Sequence, residues 1–307
     1  MSVIYSKIFY LGLMIVMGFV CEKTGYVDKL CDRTSKLIKN VTLPLLVLTS
    51  VTGQTVDISV AGEAAIVVAF AFGAMAFLAA AGFATAKLFR LRDIQVPVHV
   101  CLGTFGNVVF LCYPLVQAMF GDAGILYAVF YALANDSMLW TLGVASVSGE
   151  KGMKSLKHLV NPCTVIFVIS LGMLCLGLRL PGALEDVFSA VGSVTTPLSM
   201  MFIGATLANI SFVGALKKPQ IYILSVVKMI IAPIAVMFIL RSLSLPLGAA
   251  ATGALVFQIA MPCQTIFAVI ASEYKLDTAY AAEIIFITTV FSAISLPLVY
   301  KLMEVML

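Results

Sequence analysis

Two ionisable side chains, Asp136 and Lys228, lie deep inside apolar stretches of this 307-residue chain. Asp136 falls about fourteen residues into one run and Lys228 about eight into another. At ~1.5 Å of rise per residue, both belong inside a ~30 Å hydrocarbon layer. A charge at that depth is costly and is a functional candidate by default. The two could pair and offset part of the cost. Asp136, with its neighbour Asn135, could instead carry a proton or help hold a sodium ion. Lys228 could attract an anion, or snorkel to the inner surface. Glu63 and Glu283 sit nearer the ends of their runs and read as interfacial.

Two further stretches interrupt apolar runs with backbone breakers: TFGNVVF around Gly106-Asn107, and IAMPCQT around Pro262-Cys263-Gln264. Proline removes a donor and clashes with the preceding turn, and glycine relaxes the backbone. A break at membrane depth is tolerated only beside protein or a water-lined cavity. Each break also creates new helix ends, and a half-helix N-terminus suits a carboxylate. Two broken helices crossing would frame one small anion site. Asn107 and Gln264 could complete it with their amides.

The elements that must carry these residues follow from composition. Hydrophobic residues make up 62% of the chain and charged residues 11%; soluble domains run near ~45–50% apolar and ~25% charged. The expected fold is therefore an all-α polytopic membrane protein. Ten spans are read at 4–21, 37–53, 58–86, 95–120, 122–147, 159–178, 186–209, 220–241, 246–272 and 278–304. Fourteen Lys and Arg fall in the loops of one face and four on the other, with Lys228 inside a span. By the positive-inside rule both termini are expected outside, and no cleavable leader is expected.

The chain also reads as built twice. VTLPL at 41–45 returns as VTTPL at 194–198, with Pro44 and Pro197 standing 153 residues apart, half the chain. The breaks in spans 4 and 9 keep nearly that offset, and spans 5 and 10 follow in step. Five spans per copy is odd, so the second copy enters the membrane the other way up. An inverted repeat is a construction common among secondary transporters.

Several classes are excluded. The positive charge is distributed as membrane topology requires, not as a nucleic-acid footprint. The seven cysteines (Cys21, Cys31, Cys101, Cys112, Cys163, Cys175 and Cys263) form no CxxC pair and read as packing residues. With only two histidines, His99 and His158, no metal centre or other cofactor is expected. No phosphate-binding GxxxxGK[ST] motif occurs. The loops are too short to house a catalytic set, so no enzyme is expected.

Five stretches in order resemble the auxin efflux carrier family. GTFGNVVFLCYPLVQAMFG (Gly103–Gly121) is similar to its fourth helix and ALANDSMLWTLGV (Ala132–Val144) to its fifth. PLSMMFIGATLA (Pro197–Ala208), AMPCQTIFAVIASEY (Ala260–Tyr274) and ITTVFSAISLPL (Ile287–Leu298) are similar to its seventh, ninth and tenth. The resemblance implies ten transmembrane helices in two inverted five-helix repeats, with broken helices 4 and 9 crossing. It implies a scaffold of helices 1–2 (residues 1–57) and 6–7 (158–216), often dimeric. The mobile transport part would hold helices 3–5 (58–148) and 8–10 (217–307). An organic anion, such as malate or malonate in bacterial members, would bind at the crossing and move by elevator-like alternating access. Carried over, the crossing residues are Gly106, Asn107, Pro262 and Cys263. Gln264 and Lys228 are added as substrate candidates, with Asp136 and Asn135 for a coupling proton or sodium. The plant carriers have proline where this chain has Gly106, and a long loop where only about ten residues join spans 5 and 6. Both departures favour a short bacterial-type member in an inner membrane, and not an auxin carrier. The alternatives are a sodium-coupled bile-acid-type symporter, which shares the ten-helix plan, and a membrane sensor that binds without flux.

Overall fold

An apolar chain in lipid must satisfy its backbone within itself, and helices do so residue by residue. The computed structural model describes residues 2–25, 34, 36–53, 58–148, 162–208, 218–265, 267, 270, 271 and 274–306. Among these residues the structure is helical, with no β-strand. Lys29, Arg33, Lys151, Lys154, Lys157 and Lys217, which the charge bias uses, lie outside the described residues, as does Cys31.

Span 1 is α1 (Ser2–Thr24). Span 2 is a π-helical turn, Ile38–Thr42, running into α2 (Leu43–Thr52). Span 3 is α3 (Ile58–Leu88). Span 4 begins as α4 (Val96–Thr104), stops, and resumes in α5 (Cys112–Met138). Gly121 kinks α5 with φ 64°, a left-handed value that glycine adopts freely, and so divides span 4 from span 5. Span 5 ends through a second π turn, Leu139–Gly143, and α6 (Val144–Ser148). Then come α7 (Pro162–Cys175), α8 (Gly182–Ser193) and α9 (Thr195–Ala208). Span 8 is α10 (Pro219–Val226), a third π turn at Val227–Ile231, and α11 (Ala232–Leu243). Span 9 opens with α12 (Ala249–Ala260), and span 10 is α13 (Thr278–Met306).

Five stretches are long and apolar enough to cross a bilayer: Val60–Leu88, Cys112–Val147, Gly182–Ala208, Pro219–Leu243 and Thr278–Met306. Shorter apolar helices cover Ile38–Thr52, Val165–Cys175 and Ala249–Ala260. Two of the π turns precede a proline, Pro44 and Pro233. Widening the turn moves a carbonyl away from the pyrrolidine ring that would otherwise clash with it.

Packing falls into two groups. In one, α1 lies along α9, and α2 packs between α7 and α8. In the other, α12 packs on α5, α3 on α4 and α5, and α13 on α10, α11 and α12. The groups meet chiefly where α2 and α9 touch α5. Glycine makes the α1–α9 contact close: a Cβ on Gly18 would sit 2.6 Å from the Met201 Cα, and one on Gly204 2.7 Å from the Phe19 nitrogen.

Candidate functional site

The residues that follow α4 and α12 meet. The chain leaves α4 at Phe105, which is extended with ψ 129°, and leaves α12 at Met261, extended with ψ 144°. Gly106 and Cys263 then pair as an isolated antiparallel bridge. The Asn107 amide donates to the Pro262 carbonyl at 2.7 Å, and the Gln264 amide donates to the Phe105 carbonyl at 3.2 Å. Each break therefore supplies the hydrogen bonds that the other lost, which is what irregular backbone at membrane depth requires. A Cβ on Gly106 would lie 3.2 Å from the Met261 Cβ, so glycine permits this crossing distance. Sequence reasoning missed a further support, Thr288 on α13. Its hydroxyl donates to the Ile284 carbonyl at 2.8 Å, and its oxygen accepts from the Cys263 amide at 3.2 Å.

The crossing leaves polar atoms without partners. Asn107 is 2% exposed, and its Nδ2 makes no hydrogen bond among the described residues. The Gln264 Oε1 and the Thr265 hydroxyl are likewise buried and unpartnered. Gln258, at the end of α12, donates Nε2 to the Ala128 carbonyl at 3.0 Å and leaves Oε1 free. A buried amide without a partner costs about 1–3 kcal/mol.

Lys228 sits in the third π turn and is 1% exposed, so it does not reach the surface. Lys228 and Asp136, which the sequence allowed to pair, form no ion pair with each other. The Lys228 Nζ donates instead to the carbonyls of Gly103 and Thr104, at 3.0 and 3.1 Å. The reason is the break itself: α4 ends there, its last carbonyls have no helical donors, and a cation complements the negative end of the helix dipole. Lys228 thus ties span 8 to the end of α4.

Asp136 is half-buried on α5 and accepts from Asn135 Nδ2 at 3.2 Å. Asn135 is itself 1% exposed and leaves its Oδ1 unpartnered. A further interior cation, Lys39, is half-buried in the first π turn. Lys39 also stands over the Phe110 ring, 5.6 Å from its centroid, and Phe110 belongs to the irregular stretch between α4 and α5. Lys39 and Lys228 thus lie in the first and third π turns, and Asp136 lies three residues before the second. Sequence reasoning placed Lys39 among the loop cations. Its position five residues before Pro44, within the limits of span 2, was the signal that could have placed it inside.

Other polar residues hold the frame. His99, fully buried, lies 2.9 Å from both the Thr85 hydroxyl and the Tyr280 hydroxyl, joining α3, α4 and α13. Glu63 accepts from the Gly248 amide at 2.9 Å, at the start of α12, and Glu283 pairs with Lys218 at 2.5 Å. Asp277, in the turn before α13, accepts from Arg92, Gln95 and the Tyr280 amide at 2.7–3.0 Å. Burial pushes its carboxyl up, but these donors prevail and hold it below the usual carboxylate range. Among the described residues Cys21, Cys101, Cys112, Cys175 and Cys263 carry free thiols.

A family profile described as membrane transport protein matches residues 3–156 and 146–300. The chain belongs to this family, that of the auxin efflux carriers. Two relatives within it are archaeal. An uncharacterized transporter of Methanocaldococcus jannaschii is 29% identical over 220 residues, covering 69% of this chain and 70% of its own. An uncharacterized transporter of Methanothermobacter thermautotrophicus is 24% identical over 301 residues, covering 93% and 94%. This member of the membrane transport protein family is thus a multi-pass membrane protein in which the residues after α4 and α12 pair at Gly106 and Cys263.

Proposed function

We propose that the chain is a secondary active transporter of small organic anions, mono- and dicarboxylates such as malonate and malate. The observation that carries the reading is the paired crossing of Phe105–Asn107 with Pro262–Gln264, which keeps the buried Asn107 Nδ2 without a partner. An amide N–H and the start of the helix at Cys112 offer a carboxylate donors and a positive partial charge. Gly106, Asn107, Pro262, Cys263 and Gln264 form the substrate site. Lys228 spends two of its three N–H groups on α4 and has one left for the anion. Asp136 and Asn135 hold the coupling proton or sodium.

The mechanism is an elevator. Residues 1–57 and 158–216 form the scaffold, which dimerises, and residues 58–148 and 217–307 form the moving part. The two halves of the chain are an inverted repeat, with both termini outside a bacterial-type inner membrane. Supporting this, the helices pack in two groups that meet mainly along α5, so one group can slide against the other with few contacts to exchange. The test is Asn107→Ala in proteoliposomes. Uptake of radiolabelled malonate should fall to background while the thermal midpoint in detergent stays within about 2 °C of wild type, a shift of about 1 kcal/mol or less. Normal uptake by this variant would remove the crossing from the transport path.

A further inference from the structure

We propose that Gln117 and Asp122 latch the moving group to the scaffold, and that transport carries Gln117 one helical turn along α9, from Thr196 to Ser199. The inference rests on the elevator reading above and names the contacts that the movement exchanges.

The latch is a pair of hydrogen bonds between the two helix groups, one on each side of the Gly121 kink. Ser50 of α2 donates to the Asp122 Oδ1 at 2.9 Å, and Thr196 of α9 donates to the Gln117 Oε1 at 3.4 Å. Ser50 is 1% exposed and lies two residues from the end of α2. Asp122 is exposed, at the turn between spans 4 and 5. Gln117 lies on the stretch of α5 that runs from Cys112, just past the crossing, to the kink. Gly121 itself has φ 64° and ψ −156°, a conformation that only glycine adopts readily. A Cβ there would meet nothing within 4 Å. Glycine is therefore needed for its backbone and not for close packing, and the two bonds fix the chain on both sides of it.

Spans 2 and 7 run in opposite directions, so inward means toward the start of α2 and toward the end of α9. The next hydroxyl inward on α9 belongs to Ser199. It stands three residues beyond Thr196, ~4.5 Å along the same face of the helix. Ser199 is fully buried, and its hydroxyl has no partner among the described residues. In the outward direction stand Gly192, which has no side chain, and Ser193, whose hydroxyl already donates to the Ala190 carbonyl at 2.7 Å. A buried hydroxyl without a partner costs free energy that a new bond recovers. Ser199 thus marks the direction in which Gln117 moves. The same step takes Asp122 from Ser50 to the level of Leu46 and Val47, one turn back along α2, where no side chain can donate to it. Gln117 exchanges one hydroxyl for another, whereas Asp122 gives up its bond to water. The Ser50–Asp122 bond therefore belongs to one end of the travel alone, and the described conformation is that outer end. A one-turn step between two discrete contacts is the form such transitions take at packed helix interfaces.

The experiment is uptake of radiolabelled malonate into proteoliposomes by paired cysteine variants, treated with a short reducible bis-methanethiosulfonate cross-linker and compared with wild type treated in the same way. Gln117→Cys with Thr196→Cys should lose uptake on cross-linking and recover it on reduction. Ser50→Cys with Asp122→Cys should do the same, and takes the place of the first pair if that pair is inactive before cross-linking. Ser199→Ala should lower uptake about two- to tenfold, the worth of one hydrogen bond. Its thermal midpoint in detergent should hold or rise, because the hydroxyl removed has no partner in the described conformation; a merely structural serine would lower the midpoint. A cross-linked pair that transports as fast as before would overturn the latch. Wild-type uptake by Ser199→Ala would overturn the transfer along α9. Either result leaves the carrier reading standing. No uptake of malonate or malate by untreated wild type would overturn the carrier reading and this inference with it.

Discussion

Thr288 and Thr289 are neighbours on α13 with the same side chain and different duties. The Thr289 hydroxyl donates to the Ile285 carbonyl at 2.7 Å, a bond internal to its own helix. Thr288 makes the equivalent bond and also accepts the Cys263 amide at the break of span 9. Replacing Thr288 by Val removes that acceptor and leaves a fully buried N–H unpaired. The cost of a buried donor so abandoned is about 1–3 kcal/mol. At about 2 °C per kcal/mol for a chain of this size, the midpoint should fall by about 2–6 °C. Thr289→Val loses only a bond to a carbonyl already used by its helix, and should shift the midpoint by less than about 1 °C, the scale of a change within about 0.5 kcal/mol. A thiol-reactive fluorophore in detergent suits the measurement, because Cys101, Cys112 and Cys263 are buried and become reactive on unfolding. Thr288→Val should in addition speed alkylation of Cys263 below the midpoint. Equal midpoints for the two variants, or no change in Cys263 reactivity, would refute the claim that Thr288 holds the break in place.

Two further outcomes follow from the same geometry. Gly106→Val puts branched methyls where even a Cβ lies 3.2 Å from Met261; transport should be lost, and Gly106→Ala should keep a measurable fraction, by flux in proteoliposomes. Asp277, held below its ordinary range in the fold, contributes stability that is complete above its unfolded value of about 3.9 and is lost as pH falls through the lower folded value. Asp277→Asn should therefore flatten the pH dependence of the midpoint below about pH 4 and leave a roughly constant deficit above it.

The breaks were legible because breakers are rare inside apolar runs: Gly106-Asn107 and Pro262 each mark a place where a helix cannot continue unaided. The limits of spans 4 and 5 were legible for the same reason, and Gly121 divides them as a left-handed kink. The partner of Lys228 was not. A break exposes carbonyls of the residues before it, and those of Gly103 and Thr104 have no signature in side-chain type, so a search among side chains could offer Lys228 only an acid, an anion or the surface. Lys39 was hidden by the positive-inside rule, which reads a lysine near a span end as a loop charge whatever the turn beneath it does. Thr288 was hidden because a threonine in a helix normally bonds its own backbone, and the spare lone pair becomes useful only when another break arrives beside it.

The most direct test of the account is flux of radiolabelled malonate and malate into proteoliposomes of the wild-type protein, with inward proton and sodium gradients imposed in turn. The account predicts accumulation of the acids driven by one of the two imposed gradients. Binding of the acids without flux under either gradient would contradict transport through the crossing.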